Sequence, residues 1–284
     1  MKTIFDIGLH TGQDTAFYLA LGFKVVALEA NPELIAQARA RYGREVEEGQ
    51  LVLVEGCIAE PDETKAETEF WVNEDDSALS SFDSSIAGRM GHRLRRHLVM
   101  SVTMAELLKE HGTPHYAKID IEGADQFCCN DLDPQDLPQY LSTELSDFSC
   151  FSRLHQLGYV QFKVIEQRHL TALSERIPIN ERLLTNMCRN LSDRNLLKRI
   201  GRRISRWLLP IADAYVKTSR AKPRSQRIPE WAFPEGSSGP FGEESPGEWL
   251  DIEEAVFRWT LHLRACRQRK AELWCDLHAK REKD

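Results

Sequence analysis

The sequence predicts a doubly wound α/β fold with a mostly parallel sheet, and three observations predict it. Short apolar runs that stop at a glycine or an acidic residue alternate with segments of helical period. The junctions carry helix starts in the right order, as in Asn31-Pro32-Glu33, where a cap, an N1 proline and an acidic first turn follow one another. A succession of strand, helix, strand, helix, strand is complete by residue 59, the pace of parallel crossover units.

Each element has its own reason. TIFDIG (3–8) is a short apolar run ending at glycine, as a buried parallel strand does. Gln13 or Asp14 is expected to cap a helix carrying Phe17, Leu19 and Leu21, with Gly22 in its C-terminal turn. KVVALEA (24–30) is a β-branched second strand, the following helix should end near Gly43, and LVLVEGCIA (51–59) is a third strand. From residue 68, TEFWVNE and HLVMSV form a strand pair around the Ser-rich DSALSSFDSS, where Ser77, Ser80 and Ser81 are candidate ligand donors. Thr103 and Glu106 make a capping box before AELLKEHG. YAKIDIEGAD (116–125) supplies the fourth core strand and its loop, and YLSTELSD (140–147) and FKVIEQ (162–167) continue the alternation.

Beyond about residue 176 the period is helical and the composition basic. In LLKRIGRRISRWLL, Leu196, Leu197, Ile200, Ile204, Trp207 and Leu208 share one helical face, and Lys198, Arg199, Arg202, Arg203 and Arg206 another. The expected organisation is a Rossmann-like core over 1–180, a basic helical insertion over 181–228, and a closing part over 229–284 that packs back on the core. In that last part the closing strand is placed near 230–234, and GSSGPFG is an ordered loop over the site or a connecting turn. Asp276 and His278 of WCDLHA fix a C-terminal helix, with lining of the acceptor pocket the other role open to His278.

Composition narrows the classes. The 284 residues, 42% hydrophobic and 29% charged, suffice for one large domain or a core with an insertion. A net charge of -7 argues against a surface devoted to nucleic acid. Seven cysteines without a CxxC pair read as reduced, mostly buried thiols. No apolar run approaches the ~18 residues of a membrane span, and Asp6 interrupts what would otherwise be a leader, so a cytoplasmic enzyme is expected.

The loop DIGLHTGQD (6–14) poses the functional question. Its glycines, Gly8 and Gly12, are spaced GxxxG, whereas a pyrophosphate-binding dinucleotide loop has GxGxxG. Glu29 ends the second strand, where a carboxylate accepts hydrogen bonds from both ribose hydroxyls. Asp6, at the base of the loop, suits a ligand with an amino group, and the N–H groups of the following helix suit a carboxylate. A nucleoside bearing an amino acid satisfies all three demands, and S-adenosylmethionine is such a molecule. The competing reading is a tight turn without a ligand.

A second constellation, Asp120-Ile121-Glu122-Gly123, lies at the carboxyl end of the fourth core strand, where ligands bind in open α/β sheets. Alternation puts Asp120 and Glu122 on one side, and Glu144 ends the next strand close by. These carboxylates suit an ammonium, substrate hydroxyls or general-base work, or one of them merely pairs with Lys118.

Taken in order, DIGLHTGQD, VVALEANP, DSALSS, YAKIDIEGAD and YLSTE resemble the FkbM family of S-adenosylmethionine-dependent methyltransferases over about residues 3–167. The resemblance implies a seven-stranded sheet of class I methyltransferase type and O-methylation of a sugar, glycolipid or other natural-product hydroxyl. It implies cofactor contacts from Asp6, Gly8, His10, Thr11, Gly12, Glu29, Ala30, Asn31, Asp120 and Glu122, with Cys57 and Ile58 near the adenine and Asp120 near the sulfonium.

A sugar hydroxyl needs a base or a metal to become a nucleophile. His10, Asp120 and Glu144 are the candidate catalytic residues; for His10 the competing role is a hydrogen bond within its loop. Asp120 with Glu144 offers hard oxygens of the kind magnesium takes, a site would want a third ligand for which Asp147 is the candidate, and whether a divalent metal takes part is left open. The expected partner is a hydroxyl-bearing small molecule or glycolipid, with peripheral contact to an anionic surface, or a dimer contact, through 196–208. Nucleic acid is not an expected substrate. The alternative function is a non-catalytic binding module that holds an anionic partner with its basic insertion.

Overall fold

The structure is a computed structural model that describes residues 1–60, 66–173, 231–234, 236–270 and 273–282. The basic insertion expected over 181–228, and with it the 196–208 surface, lies outside these described residues.

The first half winds as its sequence dictates. Strand β1 (Thr3–Ile7) leads into α1 (Gln13–Ala20), β2 (Lys24–Glu29) into α2 (Pro32–Arg41) and the short α3 (Gly43–Glu47), and β3 (Leu51–Glu55) follows. Asn31 caps α2 by accepting from the Glu33 amide, with Pro32 at N1. The cap of α1 differs from expectation. Gly12, left-handed at φ 78°, occupies the N-cap without a side-chain bond. Asp14 is 3% exposed and turned inward, so its carboxylate serves the interior instead of the helix end.

The strand pair expected after residue 68 forms a separate small sheet. Strand β5 (Glu67–Asn73) lies antiparallel to β6 (Leu94–Val102), and β4 (Cys57–Ile58) pairs parallel with β6 on its other side. Between β5 and β6 the Ser-rich stretch makes a 3-10 turn (Ser77–Leu79) and α4 (Ser84–Ala87). Thr103 and Glu106 complete both halves of a capping box at the start of α5 (Met104–His111).

The core resumes with β7 (Tyr116–Ile119), α6 (Asp125–Asn130), β8 (Tyr140–Glu144), α7 (Phe148–Leu157), β9 (Tyr159–Glu166) and the two-residue β10 (Thr171–Ala172). Helix α8 (Ile252–Arg269) and β11 (Cys275–Arg281) close the described chain. The sheet order is β10-β9-β11-β8-β7-β1-β2-β3: seven strands and a short edge strand. Strands β3, β2, β1, β7 and β8 run parallel, while β11 inserts antiparallel between β8 and β9.

Two expectations about the closing part are corrected. Residues 231–234 form no strand; the closing strand is β11. Asp276 and His278 therefore stand in the sheet rather than on a C-terminal helix, where alternation with Cys275, Leu277 and Ala279 buries both faces. Helix α8 covers this side: Trp259, 1% exposed, packs edge-on to Phe148 with ring centres 4.6 Å apart. Burial of a side chain of this size contributes about 1.5–3 kcal/mol. Leaving aside the short edge strand β10, strand order reverses between β1 and β7, and at that switch the carboxyl ends of β1, β2, β7 and β8 converge.

Candidate functional site

A cavity of about 630 Å³ opens at this switch point. One side is built by the loop after β1 and the end of β2. The backbone of Gly8, at φ 93°, lies against the Asp120 carbonyl, and a Cβ there would overlap that oxygen. The Gly8 and Leu9 amides both donate to the Leu28 carbonyl, which ties the loop to β2. Glu29 is 8% exposed and each of its carboxylate oxygens accepts one amide hydrogen, from His10 and from Asn31, at 2.8 Å. Burial pushes the Glu29 pKa up, and the amides of Asn31 and His10 pull against it. Each oxygen retains a lone pair for a ligand hydroxyl. Ala30, Leu34, Cys57 and Ile58 add an apolar wall beside it.

Asp6 departs from its expected role. It is 0% exposed and lies beneath the loop, where Thr15 donates to it at 2.6 Å and Lys118 Nζ stands 3.2 Å away. It does not line the cavity. Lys118 also donates to the Gly8 carbonyl at 2.7 Å and stands 3.9 Å from Asp14 and 3.8 Å from Asp120. Burial alone would lower the Lys118 pKa, but Asp6, Asp120 and Asp14 outweigh it and keep the amine protonated.

The other side carries Asp120, Ile121, Glu122, Ala124, Glu144, Phe82, Arg89, Leu273 and Trp274. Glu122, left-handed at φ 46°, pairs with Arg89 at 3.2 Å, and its carbonyl accepts from Ser81. Burial raises Glu122 to about 7, with Arg89 opposing and Asp120 assisting. Glu144 also rises to about 7, through burial first and then Glu122 and Asp120. Asp125, raised to about 7 by burial and Asp120, accepts from Thr143 and the Glu144 amide behind this wall.

His10 sits at the mouth between the two sides. Its backbone is left-handed at φ 49°, and its Nε2 lies 2.9 Å from Ser77 Oγ. Burial, then Lys118, lowers its pKa, so the ring is neutral at neutral pH and engaged with Ser77. Ser80 also lines the cavity, whereas Ser81 is buried. The expected loop over the site is present as a strap: Gly236 lines the cavity, Ser237 Oγ donates to Asp14, and the Ser238 amide donates to it at 3.1 Å.

Of the residues expected at the site, Gly8, His10, Glu29, Ala30, Cys57, Ile58, Asp120, Glu122 and Glu144 line this cavity. Thr11 and Asn31 border a neighbouring polar hollow instead, and Gly12 packs against the Tyr42 ring. Sequence reasoning missed Asp14, Arg89 and Trp274 as wall residues. Asp14 was read as a cap, and nothing local marks Arg89 or Trp274. His278 is 2% exposed and lies away from the cavity; burial, then Lys163, lowers its pKa to about 3. Among the described residues no group of three or more His, Cys, Asp or Glu side chains is arranged to hold a metal ion. Cys57, Cys128, Cys129, Cys150 and Cys275 are free thiols, and no described helix is long and apolar enough to cross a membrane.

This geometry sets a glycine loop, a buried glutamate with free lone pairs and an acidic strand end around one cavity. The methyltransferase FkbM domain matches residues 6–167, more than half of the chain. The chain belongs to the FkbM methyltransferase family. Among solved structures, precorrin-6y C5,15-methyltransferase from Geobacter metallireducens matches with a TM-score of 0.31 at 14% identity, over 59% of this chain and 69% of that one. YJHP from E. coli matches with a TM-score of 0.28 at 9% identity, over 99% of this chain and 85% of that one. The comparison with curated proteins finds no match. Within the FkbM domain fall both walls of the cavity except the strap and the Leu273-Trp274 edge.

Proposed function

We propose that this FkbM-family protein is an S-adenosylmethionine-dependent O-methyltransferase acting on a hydroxyl of a sugar, glycolipid or related natural product. The observation that carries the cofactor is Glu29, a buried carboxylate whose two oxygens are aimed by the His10 and Asn31 amides at a cavity wall. The residues present fit the nucleoside. Glu29 would hold the ribose hydroxyls, Cys57, Ile58 and Leu34 the adenine, and Gly8 would let the chain pass close to the methionine part. When bound, S-adenosylmethionine supplies an electrophilic methyl group on a sulfonium.

The protein's task is then alignment and proton transfer. Asp120, with 41% of its side chain exposed, stands at the junction of the two walls. A carboxylate there attracts the sulfonium and takes the proton that the acceptor hydroxyl releases. His10, neutral and bonded to Ser77, holds the loop and the Ser-rich turn together instead of acting as the base. Glu122 and Glu144 offer acceptor oxygens to the substrate. The test is incubation with methyl-labelled S-adenosylmethionine and an extract of the cells that make the protein. Mass analysis should find the label on an oxygen of a small molecule or lipid; label on nitrogen, carbon or nucleic acid, or no transfer, would refute the assignment.

A further inference from the structure

The acceptor side of the cavity holds more carboxyl groups than cations to pair with them. Asp120, Glu122 and Glu144 line it, with Asp125 directly behind. Lys118 is shared among Asp6, Asp14, Asp120 and the Gly8 carbonyl, and Arg89 pairs with Glu122. The side chain of Glu144 has no hydrogen bond or ion pair among the described residues.

A second carboxylate reinforces it from a different element. Asp276 of β11 is directly opposite Glu144 of β8. Because the Leu145 amide bonds the Cys275 carbonyl at 2.8 Å, the adjoining Asp276–Glu144 pair is of the non-hydrogen-bonded kind, in which side chains stand closest. Asp276 is 6% exposed and makes no hydrogen bond or ion pair among the described residues. Directly opposed residues of an antiparallel pair share a face, so the Asp276 side chain stands beside that of Glu144; burial, then Asp120 and Glu144, raise its pKa. Two acids so placed stay ionised together only if a cation arrives; without one the pair takes up a proton.

The donor molecule does not supply enough. Its sulfonium and ammonium are offset by its own carboxylate, leaving one net positive charge for Asp120. Trp274 and Leu273 complete the wall, and an indole is a side chain that attracts organic cations.

We propose that the acceptor carries a protonated amine beside its hydroxyl groups and that Glu144, backed by Asp276, receives that amine. This rests on the methyltransferase reading above. The substrate class is accordingly an amino sugar or amino polyol, and Glu144 is a specificity residue for it.

The test uses protein loaded with S-adenosylhomocysteine and three probes of one ring size: glucosamine, N-acetylglucosamine and glucose. Dissociation constants are read by NMR at pH 7.5 and low salt. Glucosamine should bind at least tenfold tighter than either uncharged probe. Glu144→Gln should reduce that preference below threefold while S-adenosylhomocysteine binding changes by less than threefold. Asp276→Asn, a near-isosteric change, gives a second variant and should weaken the preference in the same direction. Equal binding of the three probes, binding of none, or displacement of glucosamine by millimolar magnesium would overturn the inference while leaving the methyltransferase reading intact. Failure of S-adenosylhomocysteine to bind would remove both.

Discussion

Gly8 and Asp120 meet through their backbones: the loop that opens the cofactor wall turns against the carbonyl of the residue that joins it to the acceptor wall. The two walls are therefore set at one point, and a side chain at Gly8 pushes them apart. Gly8→Ala combines a left-handed φ of 93° with that overlap. Strain of about 1–2 kcal/mol and overpacking of about 1–3 kcal/mol add, so urea unfolding should show a loss of roughly 2–5 kcal/mol. Gly22→Ala, at φ 81° with open space around it, serves as the control and should show the strain alone.

Lys118 holds the same junction electrostatically. Lys118→Met leaves Asp6 and Asp14 buried without their cation, a change that costs about 3–5 kcal/mol. Adding Asp6→Asn should recover part of the loss, because Asp6 is the nearer of the two. A double-mutant cycle by denaturant unfolding measures the coupling; additive losses would show that the pair does not act as a unit.

Asp120→Asn keeps the shape of the wall and removes the proton acceptor. With a methylated product in hand, kcat should fall by about 10²–10⁴, with less than a tenfold change in cofactor affinity. A loss confined to affinity would assign Asp120 to binding alone.

The acidic wall also predicts how stability varies with pH. Glu122, Asp125 and Glu144 titrate at about 7 in the folded chain, against about 4 unfolded. The folded chain keeps protons that the unfolded chain has released, so this stabilisation is full below about pH 4 and is lost as pH rises through 7. His278, lowered to about 3, works in the opposite direction, but its effect is nearly complete above the ordinary histidine value of about 6.5. Between pH 6.5 and 8 the melting temperature should therefore fall, by at least roughly 2–4 °C. Asp125→Asn should flatten the slope. A melting temperature that rises over this range would contradict the arrangement.

Local rules made much of this legible. The cap at Asn31 and the capping box at Thr103 depend on residues within a few positions of one another and form as read. The strand expected over 51–59, by contrast, breaks at Gly56 into β3 and β4 of two sheets, and Gly43 opens α3 instead of ending the helix before it. Glu29 and Asp120 were legible as residues of the cavity wall because strand ends in this fold have fixed places. What escaped depends on contacts far apart in sequence. Asp14 reads as a helix cap until Ser237, brought back by the strap, and Lys118 claim its carboxylate. Asp6 reads as a ligand group until the same lysine is seen to occupy it. WCDLHA carries too little periodicity to separate a strand buried on both faces from a helix end, and only pairing with β8 and β9 decides it.

The central claim is that the cavity binds S-adenosylmethionine through Glu29. Titration calorimetry of S-adenosylmethionine into the wild-type protein and Glu29→Ala tests it directly. Saturable one-site binding that weakens at least tenfold in the variant, with an unchanged circular dichroism spectrum, is the predicted result. Absence of binding to the wild type, or equal affinity in the two proteins, would contradict it.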